Sequence, residues 1–374
     1  MRFTLSSTAL NSRLQTLSKV INSKNSLPIL DCFLFDIRNH VLNITASDSE
    51  NVMRTSVGLD ECDGDCRFAV PNRTILDSVK ELPEQPLTFD VDLSKMTIQI
   101  HYQNGVYNFI AQNGDEYPIT QDIQDGATVI SMKSSILNDN INRSIFATAQ
   151  DELRPVMNGI YFDLTEDGLA IVASDGHKLV RNKNLSVKSD APASFILPKK
   201  PAILLRNVLG KSEGDTVIKF NGRNAEIQYE GGSLSCRLIE GRYPNYNSVI
   251  PQNNPNQLTV DRRGLLSALR RVIPFASESS QLVRFHLEAG KLELSSEDID
   301  FATSAKESIV CDYSGQNMNI GFKGSSLIEI LSNLDSDDVT IQLADPSRAG
   351  IIIPAEQTGD EDILMLIMPM LLND

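Results

Sequence analysis

Apolar positions near the N-terminus recur at the spacing of one face of an α-helix. Ser7 or Thr8 precedes them and is the expected N-cap, because a side-chain oxygen there can accept from a free backbone N–H group. Polar residues fill the intervening positions, so the pattern predicts a short amphipathic helix. Its apolar face is predicted to consist of Leu10, Leu14, Leu17 and Ile21.

Other segments alternate apolar and polar residues with a period of two. Residues 41–46 and 291–295 are clear examples, and each predicts a strand with one buried face. Strand patterns outnumber helical ones along the chain. The predicted fold class is therefore α+β, dominated by strands.

The chain repeats itself with a period of about 127 residues. Such a repeat is decisive for the fold, because it means that one structural unit recurs. Each unit contains a strand, a helix, several strands, a second strand-to-helix passage and more strands, which predicts about two helices per unit. The matching segments are 3–10 with 130–137 and 258–265, 46–48 with 173–175, 68–76 with 195–203, and 116–118 with 242–244.

The length of the chain supports three domains. A chain of 374 residues is too long for one hydrophobic core, and 41% of its residues are hydrophobic, so each repeat can bury a core of its own. The predicted domains are residues 1–125, 126–253 and 254–374.

Charge is divided unevenly between the predicted helices and the rest of the chain. The formal net charge is −15, yet the six segments with helical patterns total +11 and the remainder totals −26. Most of the positive charge lies in 3–24, 195–211 and 257–277. One basic helix is commonly just a solvated face, but three at related places predict a surface that attracts phosphate. With no Trp and 6% aromatic residues, contact with duplex backbone fits better than base stacking.

Cysteine usage and hydropathy predict a cytoplasmic protein without a metal site. The five cysteines are an odd number and widely scattered, as in chains with reduced thiols. Only Cys62 and Cys66 are close, and without further nearby ligands we interpret them as part of a turn. The N-terminus lacks the apolar core of a signal peptide, and no apolar run approaches the length of a membrane span.

Two other classes of function compete with nucleic-acid binding. An enzyme would have to use Asp175 with His177, or Asp298 with Asp300, as its acid and base. The sequence has no phosphate-binding glycine loop, nucleophile elbow or metal-ligand cluster, so we expect no catalysis and no cofactor. A β-rich scaffold that binds only proteins is the second alternative, in which the basic helices are solvated faces.

Several motifs resemble those of the bacterial DNA polymerase III beta subunit, the replicative sliding clamp, and the resemblance extends over the full length. The motifs are SLPIL at 26–30, NG at 158–159, SDGHKL at 174–179, EGRYPNY at 240–246, NIGF at 319–322 and MPML at 368–371.

The resemblance implies three DNA-clamp domains, each with two helices packed on antiparallel sheets, and a head-to-tail homodimer that closes a ring around duplex DNA without sequence preference. Helices would line the hole. The protein would be a non-catalytic processivity factor. Expected partners are the replicative polymerase catalytic subunit, an ATP-dependent clamp loader and other proteins with clamp-binding motifs. No cofactor and no membrane partner are implied.

Three sets of site residues follow from the resemblance and from helix positions. The expected DNA-binding residues are Lys24, Arg73, Gln150, Lys199, Lys200, Arg206 and Arg271. An apolar groove for partner peptides would use Met157, Gly176, His177, Lys178, Leu179, Pro244, Val249, Ile351, Met368, Pro369 and Met370. The dimer interface would use Tyr107, Phe109, Ile273 and Phe275.

The chain departs from the family pattern in two places. Leu371 stands where the terminal motif usually has Arg, which puts a polar contact at the edge of the groove in doubt. Ser326 stands where some members have an aromatic residue, so a wider groove is expected there.

Overall fold

The structure is a computed structural model that describes residues 1–118, 123 and 126–372. In these ranges the chain forms six α-helices, five short 3₁₀ segments and strands that account for most of the remaining ordered backbone. The helices are α1 (Ser7–Leu17), α2 (Asn72–Val79), α3 (Ser134–Ile145), α4 (Lys199–Leu209), α5 (Arg262–Val272) and α6 (Gly324–Ser332). The 3₁₀ segments are Pro28–Asp31, Gly114–Glu116, Pro155–Asn158, Tyr246–Val249 and Ile273–Phe275.

The strands pair in antiparallel fashion. In chain order they are β1 (Arg2–Ser6), β2 (Cys32–Arg38), β3 (Val41–Ser47), β4 (Asn51–Gly58), β5 (Glu61–Cys62), β6 (Cys66–Pro71), β7 (Pro86–Asp92), β8 (Thr97–Tyr102), β9 (Gly105–Ile110), β10 (Gln112–Asn113), β11 (Thr128–Lys133), β12 (Gly159–Thr165), β13 (Gly168–Ser174), β14 (Lys178–Asn184), β15 (Ala193–Pro198), β16 (Asp215–Phe220), β17 (Asn224–Tyr229), β18 (Gly232–Arg237), β19 (Asn256–Asp261), β20 (Leu282–Glu288), β21 (Lys291–Asp298), β22 (Thr303–Val310), β23 (Asp312–Tyr313), β24 (Met318–Lys323), β25 (Asp338–Leu343), β26 (Gly350–Pro354) and β27 (Glu361–Ile367). The α+β class is confirmed.

The chain forms two compact units. Unit 1 comprises Met1–Asn138 and Lys200–Leu238, and unit 2 comprises Asp139–Lys199 and Ile239–Asp374. The predicted middle domain, 126–253, therefore contributes strands to both units.

Unit 1 contains two sheets. The smaller has the strand order β5-β1-β7-β8-β9, and the larger has the order β10-β6-β2-β3-β4-β18-β17-β16-β11. The larger sheet is continuous because β18, from the second repeat, pairs with β4 from the first, for example at Ser233 and Arg54. Phe3, Phe35, Phe68 and Phe89 are fully buried and pack ring against ring, which holds β1 and β7 to β2 and β6.

Unit 2 has a sheet of the same design. Its strand order is β15-β12-β13-β14-β27-β26-β25-β19-β23, and β14 of the second repeat pairs with β27 of the third. A smaller sheet has the order β22-β21-β20-β24. The core of unit 2 is a cluster of buried side chains from both sheets and from α5 and α6, including Leu265, Leu269, Phe285, Phe322 and Leu327.

The first helix begins and ends earlier than its pattern predicts. Ser6 is the N-cap, and its Oγ accepts from the backbone N–H of Ala9 at 3.1 Å. The prediction of Ser7 or Thr8 was wrong because Ser7 is buried, donating from Oγ to the carbonyl of Pro83. Leu10, Leu14 and Leu17 form the buried face as predicted. Ile21 lies beyond the end of the helix and is only half-buried.

Three aspartates occupy equivalent tight turns between neighbouring strands. In each turn, an aspartate Oδ1 accepts from the backbone N–H groups two and three residues later, which is an Asx turn. The aspartates are Asp48, Asp175 and Asp298. The turn chemistry therefore recurs in all three repeats.

No helix in the part of the chain that the structure describes is long and apolar enough to cross a membrane.

The buried face of α1 predicts a stability effect. Leu14 is fully buried, so the substitution Leu14→Ala is expected to destabilise unit 1 by about 2–5 kcal/mol, because apolar packing is removed and a cavity is left behind. The measurement is the urea midpoint of unfolding followed by circular dichroism. Gln15→Ala, at an exposed position of the same helix, is the control. Equal midpoints for the two variants would contradict the described packing of α1.

Candidate functional site

Exposed cations lie on α4 and α5 and just beyond α1 and α4. Lys24 follows α1 and is exposed, Arg206 is exposed on α4, and Arg271 is exposed near the end of α5. The other exposed basic residues of these helices and their flanks, which the predicted DNA-binding set omits, are Lys19, Lys211, Arg263 and Arg270. Their helix positions alone could have identified them.

Two further cations stand at helix N-termini as predicted. Arg73 is the second residue of α2, and Lys199 is the first residue of α4. Free backbone N–H groups at such positions add to the attraction for an anion. Gln150 is exposed in the loop between α3 and the 3₁₀ segment Pro155–Asn158.

Two of the predicted DNA contacts are held by the protein itself. The Nζ of Lys200 donates to the carbonyl oxygen of Val20 at 2.7 Å and to Asn22 Oδ1 at 2.6 Å, and it forms an ion pair with Asp48. The guanidinium of Arg271 is paired with Glu307. These two groups are therefore less available to a phosphate than Lys24, Arg73, Lys199 and Arg206, which form no ion pair within the described ranges.

Two cations in the predicted helical segments are bonded within the protein and stabilise the fold. Arg262 is buried and donates to the carbonyl oxygens of Ser336 at 2.6 Å and Leu331 at 3.0 Å, which satisfies the end of α6. Arg143 pairs with Glu361 at 3.3 Å and is largely buried. The surface charge of the helices is thus smaller than the sequence count.

An apolar surface covers one face of the large sheet in unit 2. At its centre, Leu179 on β14, Leu366 on β27 and Ile351 on β26 lie side by side in register. These three belong to a cluster that also contains Ala170, Val172, Ile196, Tyr243, Tyr246, Ile250, Ala349 and Leu364. Of the cluster, only Leu179 and Ile351 are in the predicted groove. The continuous apolar run 363–367 could have indicated a strand buried on both faces, and so Leu364 and Leu366.

The rim of this apolar surface exposes Pro244, Val249 and Met368, all predicted groove residues. The C-terminal segment is fixed beside it, because the backbone N–H of Met368 donates to the carbonyl of His177 at 2.8 Å. The N–H of Met370 donates to the carbonyl of Gly321 at 2.7 Å. We name the surface formed by the cluster and this rim the apolar groove.

The remaining predicted groove residues lie in different settings. Gly176 and His177 are exposed in the turn between β13 and β14, and Met157 is buried. Pro369 and Met370 are half-buried in the terminal segment. Lys178 is adjacent to Leu179 in β14, so its side chain lies on the opposite face of the sheet, where its Nζ contacts Asp175 and Glu329.

The two departures from the family pattern also have clear locations. Leu371 lies in the C-terminal segment directly after Met370 and is 87% exposed. Ser326 is buried in α6, so its hydroxyl is not a surface group.

The predicted dimer residues lie at the edges of the smaller sheets. Tyr107 and Phe109 are on β9, the last strand of the small sheet in unit 1. Tyr107 stacks on Tyr102 with ring centroids 4.7 Å apart. Ile273 and Phe275 form the 3₁₀ turn after α5, which packs against β21 and β22. β22 is an edge strand of the smaller sheet in unit 2.

The acids proposed for an enzyme have structural partners. Burial alone would raise the pKa of the Asp175 carboxyl, but hydrogen bonds from Lys178 and from the backbone of His177 outweigh it, and the pKa lies below its usual range. A carboxylate so held is a poor base, since protonation would break these bonds. Asp298 is likewise bound by the N–H groups of Asp300 and Phe301. Among the described residues no group of three or more His, Cys, Asp or Glu is arranged to hold a metal ion.

Three family models match successive parts of the chain. Residues 1–121 match the N-terminal domain of the DNA polymerase III beta subunit, residues 131–245 its central domain, and residues 247–371 its C-terminal domain. The chain belongs to the DNA polymerase III beta subunit family. These proteins are the DNA sliding clamps, so membership makes the chain a processivity factor of DNA replication with three clamp domains.

Individual relatives agree along their whole length. The beta sliding clamp of Pseudomonas putida is 25% identical over 371 residues, covering 99% of this chain and 100% of the relative. That of Staphylococcus aureus is 25% identical over 379 residues, covering 99% of both chains.

Solved structures share the fold. A sliding clamp from Pseudomonas aeruginosa bound to griselimycin superposes with a TM-score of 0.94 at 24% identity, covering 100% of both chains. The DNA polymerase III beta subunit from Thermotoga maritima has a TM-score of 0.89 at 25% identity, again covering 100% of both chains.

The Asp48–Lys200 pair generates a prediction about pH. Burial tends to raise the pKa of Asp48, but hydrogen bonds from Lys200 and Asn51 prevail and lower it. A depressed folded-state pKa adds stability above the unfolded value of about 3.9, and this stability is lost as the pH falls through the folded value. Asp48→Asn should therefore destabilise unit 1 by about 1–3 kcal/mol near pH 7, with a difference that shrinks below about pH 4. Urea unfolding at both pH values measures it, and a difference independent of pH would refute the role of the charge.

Proposed function

We propose that two copies of the chain close a ring around duplex DNA and slide along it while tethering the replicative polymerase through the apolar groove. The observation that carries the proposal is the division of charge. Exposed cations lie on α4 and α5 and in the segments just after α1 and α4, in a chain whose remainder is strongly acidic. Such a division favours contact with phosphate at the helices and repels DNA elsewhere.

The proposed DNA contacts are Lys24, Arg73, Gln150, Lys199 and Arg206. Lys200 and Arg271 are also proposed contacts, but each would first have to break its ion pair, with Asp48 and Glu307 respectively. Contacts with phosphate alone carry no sequence information. Individual contacts are weak and sensitive to salt, but a closed ring cannot leave the duplex sideways. Retention would therefore depend on topology.

Ring closure is proposed to join the β9 edge of one copy to the β22 edge of the other. Both strands end a sheet among the described residues, and an unpaired edge is a ready template for a further strand. Tyr107, which is half-buried, would pack against Ile273 and Phe275 of the partner copy. Phe109 is only 7% exposed and would support the ring of Tyr107 from beneath, with the two ring centroids 6.3 Å apart. This interface is heterologous, and two such contacts close the ring.

The apolar groove is proposed to bind short segments of several partners. Methionine repacks easily, so Met368 and Met370 suit different apolar motifs. Lys178 would position the turn beside the site, because its backbone and its Nζ are bonded to Asp175. The remaining residues of the proposed site are Met157, Gly176, His177, Leu179, Pro244, Val249, Ile351 and Pro369. Such partners would include the polymerase catalytic subunit and other proteins with clamp-binding motifs.

We further infer that the chain has no catalytic activity and acts in the cytoplasm at the nucleoid. The carboxylate of Asp175, the acid considered for catalysis, instead stabilises a turn and is held ionised by Lys178. Opening the ring would therefore require an ATP-dependent clamp loader. The three domains are proposed to span residues 1–125, 126–253 and 254–374.

Retention on DNA tests the clamp mechanism. Wild-type protein, loaded onto nicked circular duplex, should stay bound through gel filtration and should dissociate when the circle is linearised. The triple variant Lys24→Gln, Arg73→Gln, Lys199→Gln should bind with a shallower salt dependence, by about 0.9 in log–log slope for each phosphate that the variant no longer neutralises.

The control is a second triple variant that removes three positive charges outside the helices. Its substitutions are Lys188→Gln, Lys219→Gln and Arg223→Gln. Equal retention on circular and linear DNA would contradict the ring. Equal salt slopes for the two triple variants would contradict the helix assignment and favour a scaffold that binds only proteins.

Truncation of the groove methionines is expected to weaken peptide binding. The probe is a fluorescein-labelled peptide of alternating polar and aliphatic residues that ends in Phe. The double variant Met368→Ala, Met370→Ala should reduce the affinity for this peptide at least tenfold, since each truncation removes about 1–2 kcal/mol of apolar burial. Fluorescence anisotropy measures the Kd. Ile299→Ala, at a position 85% exposed elsewhere in unit 2, should have no effect. Unchanged affinity in the methionine variant would show that the peptide binds elsewhere.

A charge placed in the proposed interface should separate the copies. Phe275 is 39% exposed, and Phe275→Asp would leave an unpaired carboxylate against apolar partner residues. Light scattering should give twice 41.3 kDa for the wild type and 41.3 kDa for the variant. Leu153→Asp, at a position 90% exposed outside the proposed interface, should remain a dimer. A dimeric Phe275→Asp protein would exclude this interface.

A further inference from the structure

The apolar groove has a counterpart in unit 1 that follows from the repeat. In unit 2 the groove lies where β14 pairs with β27, and in unit 1 the equivalent pairing is β4 with β18. Tyr243 belongs to the cluster of the groove and Pro244 to its rim, and Tyr117 and Pro118, from the matching segment, line the surface at the β4–β18 junction. The two surfaces are therefore built from corresponding elements.

The surface in unit 1 is a concave bowl of about 860 Å³. Side chains from six strands point into it, because residues in register across β6, β2, β3, β4, β18 and β17 share one face of the sheet. We name this surface the arginine bowl, after Arg38, Arg54 and Arg67 in its lining.

The floors of the two surfaces correspond, but their linings differ in chemistry. In the bowl a small apolar cluster contains Leu34, Ala69 and Tyr117. At the offset of the repeat, these match Tyr161, Ile196 and Tyr243 under the apolar groove. Around this floor the bowl is lined by hydroxyl, amide and charged groups, including Asn43, Thr45, Ser56, Gln228 and Ser233.

Arg54 lacks the carboxylate that its counterpart has. Arg181 lies 127 residues later, opposite Leu364 on β27, and pairs with Asp362, two residues before Leu364. Arg54 lies opposite Ser233 on β18, and the residue two positions before Ser233 is Gly231. The half-buried Arg54 therefore forms no ion pair within the described ranges, although a guanidinium removed from water calls for an acceptor.

A second guanidinium in the bowl is only partly satisfied. The Nε of Arg67 is buried and has no hydrogen-bond partner, while its Nη1 lies 3.5 Å from the exposed carboxylate of Asp115. Arg38 differs, because its Nε donates to Asp36 Oδ1 at 2.9 Å, so its charge is already balanced. Donors therefore remain free at Arg54 and Arg67.

We propose that the arginine bowl is a second docking groove and that its occupant is an extended acidic segment of a partner protein. A carboxylate of that segment takes, at Arg54, the place that Asp362 holds at Arg181, and hydroxyl and amide groups of the lining bind its backbone. A peptide segment fits better than a nucleic-acid strand, because its carboxylates can be spaced to meet Arg54 and Arg67 and to avoid Asp36 and Glu226, whereas a strand carries a phosphate at every nucleotide. The inference rests on the proposed function, in which partners dock on the ring.

The test uses the full chain and a fluorescein-labelled octapeptide of alternating Glu and Thr, followed by anisotropy at physiological ionic strength. Arg54→Gln should weaken binding at least tenfold, because charge-assisted hydrogen bonds are removed. Arg54→Lys should restore part of it. Ser233→Asp should abolish binding, because an internal carboxylate then faces Arg54 across the strand pair, whereas Ser233→Asn should bind like the wild type.

Arg223→Gln is the matched control, because Arg223 is an exposed arginine of unit 1 outside the bowl lining, and its affinity should change less than twofold. A peptide of alternating Gln and Thr should not bind. Thermal melts of each variant, followed by circular dichroism, should coincide with the wild-type melt, which separates a binding defect from a folding defect.

The proposal is overturned if the wild type shows no saturable binding, if Arg54→Gln binds like the wild type, or if an oligothymidylate displaces the peptide at lower concentration than unlabelled peptide does. The apolar peptide distinguishes this failure from failure of the proposed function. Its affinity should respond to Met368→Ala with Met370→Ala and not to Arg54→Gln. If only the acidic peptide fails its test, the proposal that the arginine bowl binds a partner is refuted, and the proposed role of the apolar groove stands.

Discussion

The structure depends on strand pairing across the boundaries between repeats. The ladder of β4 with β18 joins the first repeat to the second, and the ladder of β14 with β27 joins the second to the third. Each ladder satisfies backbone groups that would otherwise form an open sheet edge, and each turns two short sheets into one of nine strands. The joined sheets also create the surfaces on which both proposed docking grooves lie. Neither surface exists within a single repeat.

Electrostatics gives the same scaffold different surfaces. Exposed cations lie on α4 and α5 and just beyond α1 and α4. The carboxylates of Asp48, Asp175 and Asp298 instead stabilise turns. Arg262 and Arg143 are on helices too, but their guanidinium groups stabilise the fold. On the sheet faces, one interrepeat junction is apolar and the other carries arginines. A repeated architecture can in this way separate contact with DNA from contact with proteins.

Much of the fold is readable from the sequence, because the repeat and the two periodicities are local. The structure confirms the two helices per repeat and the strands at 41–46 and 291–295. It also confirms the helical face of Leu10, Leu14 and Leu17. The N-cap was missed by one residue, because burial of Ser7 depends on Pro83, far along the chain. Pairing of Lys200 with Asp48 and of Arg271 with Glu307 was missed for the same reason, since long-range ion pairs leave no local pattern. The division of the middle repeat between two units likewise arises from pairing across distant segments.

The central claim is that two copies of this chain form a closed ring. Single-particle electron microscopy of the purified protein without DNA tests it most directly, because it shows number, closure and connectivity of the copies in one image class. We expect closed rings of two copies with an open centre, joined at the β9 and β22 edges. Separate subunits, or chains of copies that do not close, would contradict it.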